Sequence, residues 1–220
     1  MFYPASNFDL VEKLESNWEV IRDEMLSISQ SDFDPWLQRS MHGEGWSVFG
    51  LAAIGRQFKQ AVEYCPQTTK ILQTISGVAL SGFSRMAPGT HILPHCGWAY
   101  DSYRLHLGLV VPSGCRLRVA DETRSWQNGK CLVFDDTVEH EAWNDSTEVR
   151  TTLMVDFLRP GINEFSIDHI PPDVAEYARS MMDLGRVLLD QFNDGRRPCF
   201  LFERAVACWL VVKQDTATSR

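Results

Sequence analysis

The chain has 220 residues, of which 44% are hydrophobic and 23% are charged, and this composition is typical of one globular domain. Its longest apolar run, Ala205 to Val212, is far shorter than the ~20 residues that a membrane-spanning helix needs, so we expect no transmembrane segment. The net charge of −8 argues against nucleic acid as a partner, because phosphate binding needs a dense basic surface.

The cysteines and the amino-terminal residues indicate the compartment. The six cysteines are scattered, with no Cys-x-x-Cys pair that would indicate a zinc site. The first residues show neither a basic region nor an apolar core, so we expect no signal peptide. Reduced thiols in a cytosol fit this pattern better than a disulfide framework does, and the sequence therefore predicts a cytoplasmic protein.

Helical periodicity is found in the first third of the chain. Apolar residues recur at helical spacing from Leu10 to Met25, and Asp9 with Glu12 resembles a capping box. A second helix is predicted over residues 50–64. It should end before Cys65-Pro66, because the residue before a proline disfavours the helical conformation.

From about Gly77 to Pro160 the sequence consists of short β-rich runs separated by turn signals. Many short strands with no helices between them favour an antiparallel sandwich or barrel. The predicted fold is therefore mainly β with flanking helices, and a double-stranded β-helix (a cupin-like jelly roll) is the natural candidate. The predicted strands are residues 78–84, 90–93, 103–111, 115–119, 131–135 and 151–157.

The remainder of the chain again reads as helical. Pro171-Pro172 can begin a helix that runs to about Phe192, and a last helix is predicted over residues 200–212. We therefore divide the chain into a catalytic domain with amino-terminal helices, residues 1–160, and a helical extension, residues 161–220, packed on the same domain.

Two histidines are candidate metal ligands. His95 follows one predicted strand and His140 follows another 45 residues later, and a jelly roll brings such strands together around one mouth. Two neutral imidazoles suit a first-row divalent metal such as iron(II). A carboxylate commonly follows the first histidine by two residues, but here that position is Gly97. Either water completes the site, or a carboxylate comes from Asp101, Asp135 or Asp136.

Several motifs together resemble the aspartyl/asparaginyl β-hydroxylase family, in order and spacing, over roughly residues 40–160. This resemblance implies a double-stranded β-helix that uses iron(II), 2-oxoglutarate and O2, with glycine in place of the usual third metal ligand. The motifs are Pro88-Gly89-Thr90, Pro94-His95-x-Gly97, Arg104-Leu105-His106-Leu107-Gly108-Leu109, Trp126-x-x-Gly129-Lys130, Phe134-Asp135-Asp136, His140-Glu141, Arg150 and Asp156-x-x-x-Pro160.

The resemblance also implies roles for single residues. His95 and His140 match the two iron ligands, through which they would be catalytic. The residues that match contacts to 2-oxoglutarate are Trp46, Ser84, Arg104, Leu105, His106 and Arg150.

Chemistry explains several of these residue types. A buried cation is needed for the far carboxylate of the cosubstrate, and Arg150 supplies a planar fork for it. Arg104 and His106 share one face of a strand, as two inward-facing side chains must. Arg104 is equally suited to hold a substrate carboxylate. Leu105 contributes only backbone or packing.

Other polar residues near the site are expected to have supporting roles. His91 has the parity of His95 along the strand, and it is expected to be an outer or surface group. Asp135 and Asp136 are expected to orient the metal-bound imidazoles or fix a turn, since carboxylates often hold such rings from outside the metal site.

The resulting functional hypothesis is a dioxygenase that hydroxylates an unactivated carbon of a small-molecule or peptide substrate. The β-carbon of an Asp- or Asn-like group, in a peptide or a free amino acid, is the favoured target. The alternatives are hydroxylation of a lipid acyl chain and a cupin that does not use 2-oxoglutarate, either a metal-dependent isomerase or a binding protein.

Overall fold

The computed structural model describes residues 1–36, 42–53, 56–97 and 100–163. The two predicted carboxy-terminal helices, and the proposal that they pack on the preceding domain, lie outside these ranges. Four short α-helices, two single-turn 3-10 helices and twelve strands occur in the described ranges. In chain order the α-helices and strands are β1 Phe2–Tyr3, α1 Asp9–Ser16, α2 Trp18–Ser27, β2 Asp34–Pro35, β3 Trp46–Ala53, β4 Arg56–Gln57, α3 Lys59–Tyr64, α4 Pro66–Gln73, β5 Val78–Met86, β6 His91–His95, β7 Ser102–Val110, β8 Cys115–Val119, β9 Glu122–Ser125, β10 Cys131–Phe134, β11 His140–Asn144 and β12 Arg150–Leu158.

The strands form two antiparallel sheets. The larger has the order β1-β10-β7-β12-β5-β3-β2, with β4 beside β3, and the smaller has the order β6-β11-β8-β9. The inner faces of the sheets meet, since the Phe134 ring on β10 lies 5.4 Å from the His140 ring on β11. The predicted mainly β fold, a double-stranded β-helix with flanking helices, is confirmed.

A fully buried side chain joins the sheets at one end. Asn144 of β11 donates its amide to the backbone oxygens of Met86, Ala87 and Glu148, at 2.8 to 3.1 Å. Since Met86 ends β5, this amide links the smaller sheet to the larger one.

The amino-terminal helices cover the outer face of the larger sheet. Helix α2 packs on β7, and its apolar face is formed by the buried side chains of Ile21 and Met25. Glu15 of α1 accepts hydrogen bonds from the Cys131 backbone N–H and the Lys130 ammonium group. The central strand β12 is consequently buried on both faces, and its polar residues Arg150, Thr152 and Asp156 are buried together with its apolar ones.

Two helix predictions are corrected. The predicted helix over residues 10–25 is two helices that meet at Asn17, and Phe8 caps the first one with no side-chain hydrogen bond, so the capping box is wrong. The helix predicted over residues 50–64 is mostly wrong, because β3 pairs with β5 as far as Ala53 and α3 begins only at Lys59. Pairing with a neighbouring strand overrides the local helical pattern there. The predicted break before Pro66 is confirmed.

All six predicted strands are confirmed to within about two residues at each end. Six other strands were missed: β1, β2, β3, β4, β9 and β11. None of the helices in the described ranges is long and apolar enough to span a membrane. The cysteines at positions 65, 96, 115 and 131 are free thiols.

Candidate active site

The two candidate metal ligands lie side by side on adjacent strands. His95 ends β6 and His140 begins β11, and they are register partners whose ring centroids are 4.1 Å apart. Strand β6 has one extra residue at Leu93-Pro94 relative to β11, which makes a β-bulge. The bulge reverses the side-chain alternation, so His95 turns inward while His91 faces outward. His91 is therefore an outer group, as expected, but it lacks the inward orientation of His95 that equal parity along a regular strand would give.

Hydrogen bonds fix the tautomer of both histidines. The Nδ1–H of His95 donates to the Leu93 carbonyl at 2.8 Å, and that of His140 donates to the Val138 carbonyl at 2.9 Å. Burial lowers the pKa of His95, and burial together with the neighbouring His95 ring lowers the pKa of His140 to about 3. Both imidazoles are therefore neutral near pH 7, and each has its Nε2 lone pair available for a cation.

A carboxylate lies where a side chain at position 97 would be. A Cβ atom on Gly97 would be 1.6 Å from Asp136 Oδ2, so only glycine fits while Asp136 keeps its place. Asp136 Oδ1 lies 3.3 Å from His140 Nε2. No group of three or more His, Cys, Asp or Glu side chains converges as metal ligands within the described ranges. The site thus provides two imidazoles, of His95 and His140, as ligands for a cation, with the Asp136 carboxylate beside them.

Arg104 is neutralised by two carboxylates. It donates to both oxygens of Asp156 at 2.7 and 2.8 Å, and its Nη1 donates to Asp136 at 2.5 Å. Burial alone would lower the pKa of Arg104, but the two carboxylates outweigh burial and raise it above its usual value. One function of Arg104 is therefore to hold Asp136 beside the histidines.

Arg150 has a contrasting environment. Its side chain is fully buried, and its guanidinium donates only to neutral acceptors, namely the Ser84 carbonyl, Thr152 Oγ1 and Met86 Sδ. No carboxylate in the described part of the chain pairs with it, and its Nε–H has no acceptor there. Burial lowers the pKa of Arg150 to about 10, so the group is still a cation at neutral pH. A buried charge without a counter-charge costs on the order of several kcal/mol.

Ser84 and Trp46 lie beside Arg150. The indole Nε1–H of Trp46 donates to Ser84 Oγ at 3.0 Å, so the serine hydroxyl keeps its own hydrogen to donate elsewhere. Leu105 is fully buried, and by strand alternation it faces away from its neighbours Arg104 and His106. It therefore contributes to the core beneath the site, as its residue type predicts.

His106 connects the histidine pair with Arg150. Its ring lies 5.2 Å from the Phe134 ring, which in turn lies 5.4 Å from the His140 ring, and it stacks on Trp126 at 5.9 Å. Both ring nitrogens are buried without a hydrogen-bond partner in the described ranges. Burial, followed by the nearby Arg150 and Arg104 charges, lowers the pKa of His106 well below its usual value. The neutral ring thus has one donor and one acceptor to offer.

The structure therefore brings the predicted residues into two neighbouring groups. His95, His140 and Arg104 surround the carboxylate of Asp136, while Trp46, Ser84 and His106 lie around Arg150. Leu105 alone is on the opposite face. Three further residues near the site had no predicted role: Asp156, Trp126 and the turn residue His42, whose ring packs on Trp46 at 5.4 Å. For Asp156 and Trp126 a signal was available, since each lies in a motif shared with the family.

These groups fit a divalent cation next to a dicarboxylate. Two neutral imidazoles with free Nε2 atoms match iron(II). The buried polar atoms without a hydrogen-bond partner in the described ranges include Arg150 Nε, Trp126 Nε1 and both nitrogens of His106. Buried polar atoms normally have partners. An anion bound between them would supply the missing acceptors and compensate the charge of Arg150.

Comparison with known proteins identifies the family. The family described as "Aspartyl/Asparaginyl beta-hydroxylase" matches residues 15–160. The chain is 39% identical to the aspartyl/asparaginyl beta-hydroxylase of Mus musculus over 161 residues, which are 69% of this chain and 22% of that protein. It is 34% identical to the ornithine lipid ester-linked acyl 2-hydroxylase of Rhizobium tropici over 169 residues, which are 72% of this chain and 60% of that protein.

The chain thus spans about a fifth of the mammalian relative and three fifths of the bacterial one. Among solved structures, a 2OG-Fe(II) oxygenase family oxidoreductase from Burkholderia pseudomallei is similar over 68% of this chain and 80% of that chain. Its sequence identity is 12% and its TM-score is 0.46.

Replacing Gly97 tests how tightly Asp136 is packed. In metal-free protein, we expect Gly97→Ala to lower the free energy of unfolding by about 2–4 kcal/mol, because its Cβ overlaps the carboxylate. In an Asp136→Ala background the same change should cost at least about 1 kcal/mol less. Urea unfolding of the four proteins with a chelator present measures both costs. Strictly additive costs would show that the two residues do not compete for this space.

Proposed function

The chain belongs to the aspartyl/asparaginyl β-hydroxylase family, and from this premise we propose that it is an iron(II)- and 2-oxoglutarate-dependent dioxygenase that acts as a hydroxylase. The observation that carries the proposal is the environment of Arg150. A buried guanidinium that donates only to neutral acceptors is costly, unless an anionic ligand completes it. The far carboxylate of 2-oxoglutarate is such an anion.

In this proposal His95 and His140 hold the iron through their Nε2 atoms. Iron(II) with 2-oxoglutarate and O2 supplies the oxidising chemistry, in which the cosubstrate is decarboxylated to succinate. The protein contributes orientation: the Leu93 and Val138 carbonyls hold the imidazole rings, and the Asp136 carboxylate accepts hydrogen bonds from water or substrate beside the cation.

The two arginines have separate roles. Arg150 grips the far carboxylate of 2-oxoglutarate, with the Ser84 hydroxyl as a further donor and Trp46 holding that hydroxyl in place. Arg104 already pairs with Asp156 and Asp136, so its charge is compensated before any ligand binds. Its free N–H groups can still orient a substrate or cosubstrate carboxylate. The charge of Arg150, in contrast, is compensated only when an anionic ligand binds.

The favoured substrate is an Asp- or Asn-like group that is hydroxylated at its β-carbon. Relatives at 38–39% identity carry the name aspartyl/asparaginyl beta-hydroxylase, which supports this choice. The relative named as an ornithine lipid acyl hydroxylase makes an acyl chain the second candidate, and this chain covers a larger share of that protein. Both candidates require the same iron and cosubstrate site.

For the location of the protein in the cell, the proposal remains the cytoplasm, as the sequence predicts.

The iron site can be tested optically. Anaerobic addition of iron(II) and 2-oxoglutarate should produce a visible charge-transfer band, because a 2-oxo acid chelates the ferrous ion. We expect His140→Ala to lose the band. His91→Ala should keep it, because His91 faces outward on the same strand as His95 and pairs with Glu141. If folded, metal-loaded wild-type protein gives no band, the oxygenase proposal fails and a cupin that does not use 2-oxoglutarate replaces it.

The role of Arg150 can be tested by anaerobic binding measurements. Arg150→Ala should weaken 2-oxoglutarate binding about 100-fold while iron binding survives, since a charge-assisted pair is lost at a distance from the metal. Arg85→Ala is the matched control. Arg85 is the neighbour of Ser84 on β5 but points to the opposite face, with its guanidinium 4.5 Å from the centre of the Phe33 ring. Equal cosubstrate affinity in wild type and Arg150→Ala would contradict the assignment.

Substrate identity can be tested by mass spectrometry. We expect one added oxygen, formed with succinate in equal amounts, on Asp- or Asn-containing peptides or on the free amino acids. Lipid extracts incubated under the same conditions form the second arm, and His140→Ala is the inactive control. Modification of lipid acyl chains alone would replace the favoured substrate with the second candidate. Succinate without any oxidised product would show that neither candidate is the substrate.

A further inference from the structure

Trp126 is a buried tryptophan at the turn after β9, with 3% of its surface exposed. It has no role so far in the binding of metal or cosubstrate. Its indole Nε1–H donates to no acceptor in the described ranges, although a buried indole normally finds one. In contrast, the indole of Trp46 in the same site donates to Ser84. The missing partner of Trp126 therefore requires an explanation.

The indole ring is in contact with the guanidinium of Arg150, which has no carboxylate partner in the described ranges. The Arg150 Cζ atom lies 4.4 Å from the centroid of the Trp126 ring, a cation–π distance. The edge of the guanidinium is fixed by Thr152 Oγ1 at 2.9 Å and by the Ser84 carbonyl at 3.3 Å. Trp126 covers its face. The ring and these edge contacts together set the plane in which Arg150 presents its remaining N–H groups.

Two buried donors without acceptors, Arg150 Nε–H and Trp126 Nε1–H, thus belong to side chains that touch each other. A carboxylate has about four lone-pair sites, so one carboxylate can accept from both donors. If one anion accepts hydrogen bonds from both N–H groups, neither group is left buried without an acceptor, and the free-energy cost of burying each of them is removed. An apolar group in the same place would satisfy neither donor.

We infer that Trp126 is part of the binding site for the far carboxylate of 2-oxoglutarate, where its ring holds Arg150 in position and its Nε1–H donates to the anion. This inference rests on the proposed function. It makes Trp126 a determinant of selectivity for dicarboxylic over monocarboxylic 2-oxo acids. The metal end of the cosubstrate should be unaffected, since the ring contacts recorded for Trp126 in the described ranges are with His106 and Arg150.

The test compares two cosubstrate analogues in iron(II)-loaded protein without oxygen. 2-Oxopentanoate has the same chain length as 2-oxoglutarate, but a methyl group replaces its far carboxylate. The ratio of the two dissociation constants therefore isolates the contribution of that carboxylate, and it is independent of turnover. In wild-type protein we expect 2-oxoglutarate to bind at least about 100-fold more tightly.

Two substitutions separate the ring from its N–H. Trp126→Phe keeps an aromatic face over Arg150 but loses the donor, and we expect the ratio to fall about 10-fold. Trp126→Leu loses both, and we expect the ratio to fall about 100-fold. Trp143→Phe is the control, because Trp143 also lies against an arginine, Arg116 at 4.5 Å, but on the outer face of the smaller sheet. Iron(II) affinity and 2-oxopentanoate affinity should stay constant throughout.

The outcomes distinguish the two proposals. A wild-type ratio near one would overturn the proposed function, and the inference with it. A wild-type ratio near 100 that Trp126→Phe leaves unchanged would overturn the hydrogen bond alone, and one that Trp126→Leu leaves unchanged would overturn the positioning of Arg150. If Trp126→Leu fails to fold, Trp126→Phe still decides the hydrogen bond.

Discussion

The buried guanidinium of Arg150 is the constraint on which the rest of the site depends. It lies between the two sheets with a serine carbonyl, a threonine hydroxyl and a thioether as its acceptors. Such a group lowers the stability of the fold unless an anion compensates it. The site therefore favours a bound carboxylate, and under the proposed function the neighbouring donors of Ser84, His106 and Trp126 would determine how that carboxylate is held.

The two arginines show how charge is divided within the site. Arg104 is balanced by Asp136 and Asp156, while Arg150 is left as an excess cation. Iron(II) and fully ionised 2-oxoglutarate carry opposite charges of equal size, so together they leave the total charge of the site unchanged. In the proposed complex their binding would redistribute charge, because the cation would lie beside Asp136 and the far carboxylate beside Arg150. The cation would reduce the excess negative charge of Asp136 and Asp156 over Arg104, and the far carboxylate would compensate the positive charge of Arg150.

Close packing, rather than a missing group, explains the glycine at position 97. The Asp136 carboxylate fills the space that a side chain there would need, and Arg104 holds it in that space. The carboxylate thus reaches the histidine pair from the loop before β11 instead of from β6. The bulge at Leu93-Pro94 completes the arrangement, because without it His95 would face outward like His91.

The sequence by itself determined the strands around the site, the fold class and the residues that match the family, because short β-rich runs and motif order are local properties. It also predicted that Arg104 and His106 share a face. It failed for residues 50–64, where pairing with β5 overrides a helical pattern. Only the tertiary structure decided that Arg104 is neutralised and Arg150 is not, that Asp136 lies against Gly97, and that Trp126 covers Arg150. These depend on burial and on contacts between residues as many as 66 positions apart, which spacing along the chain does not encode.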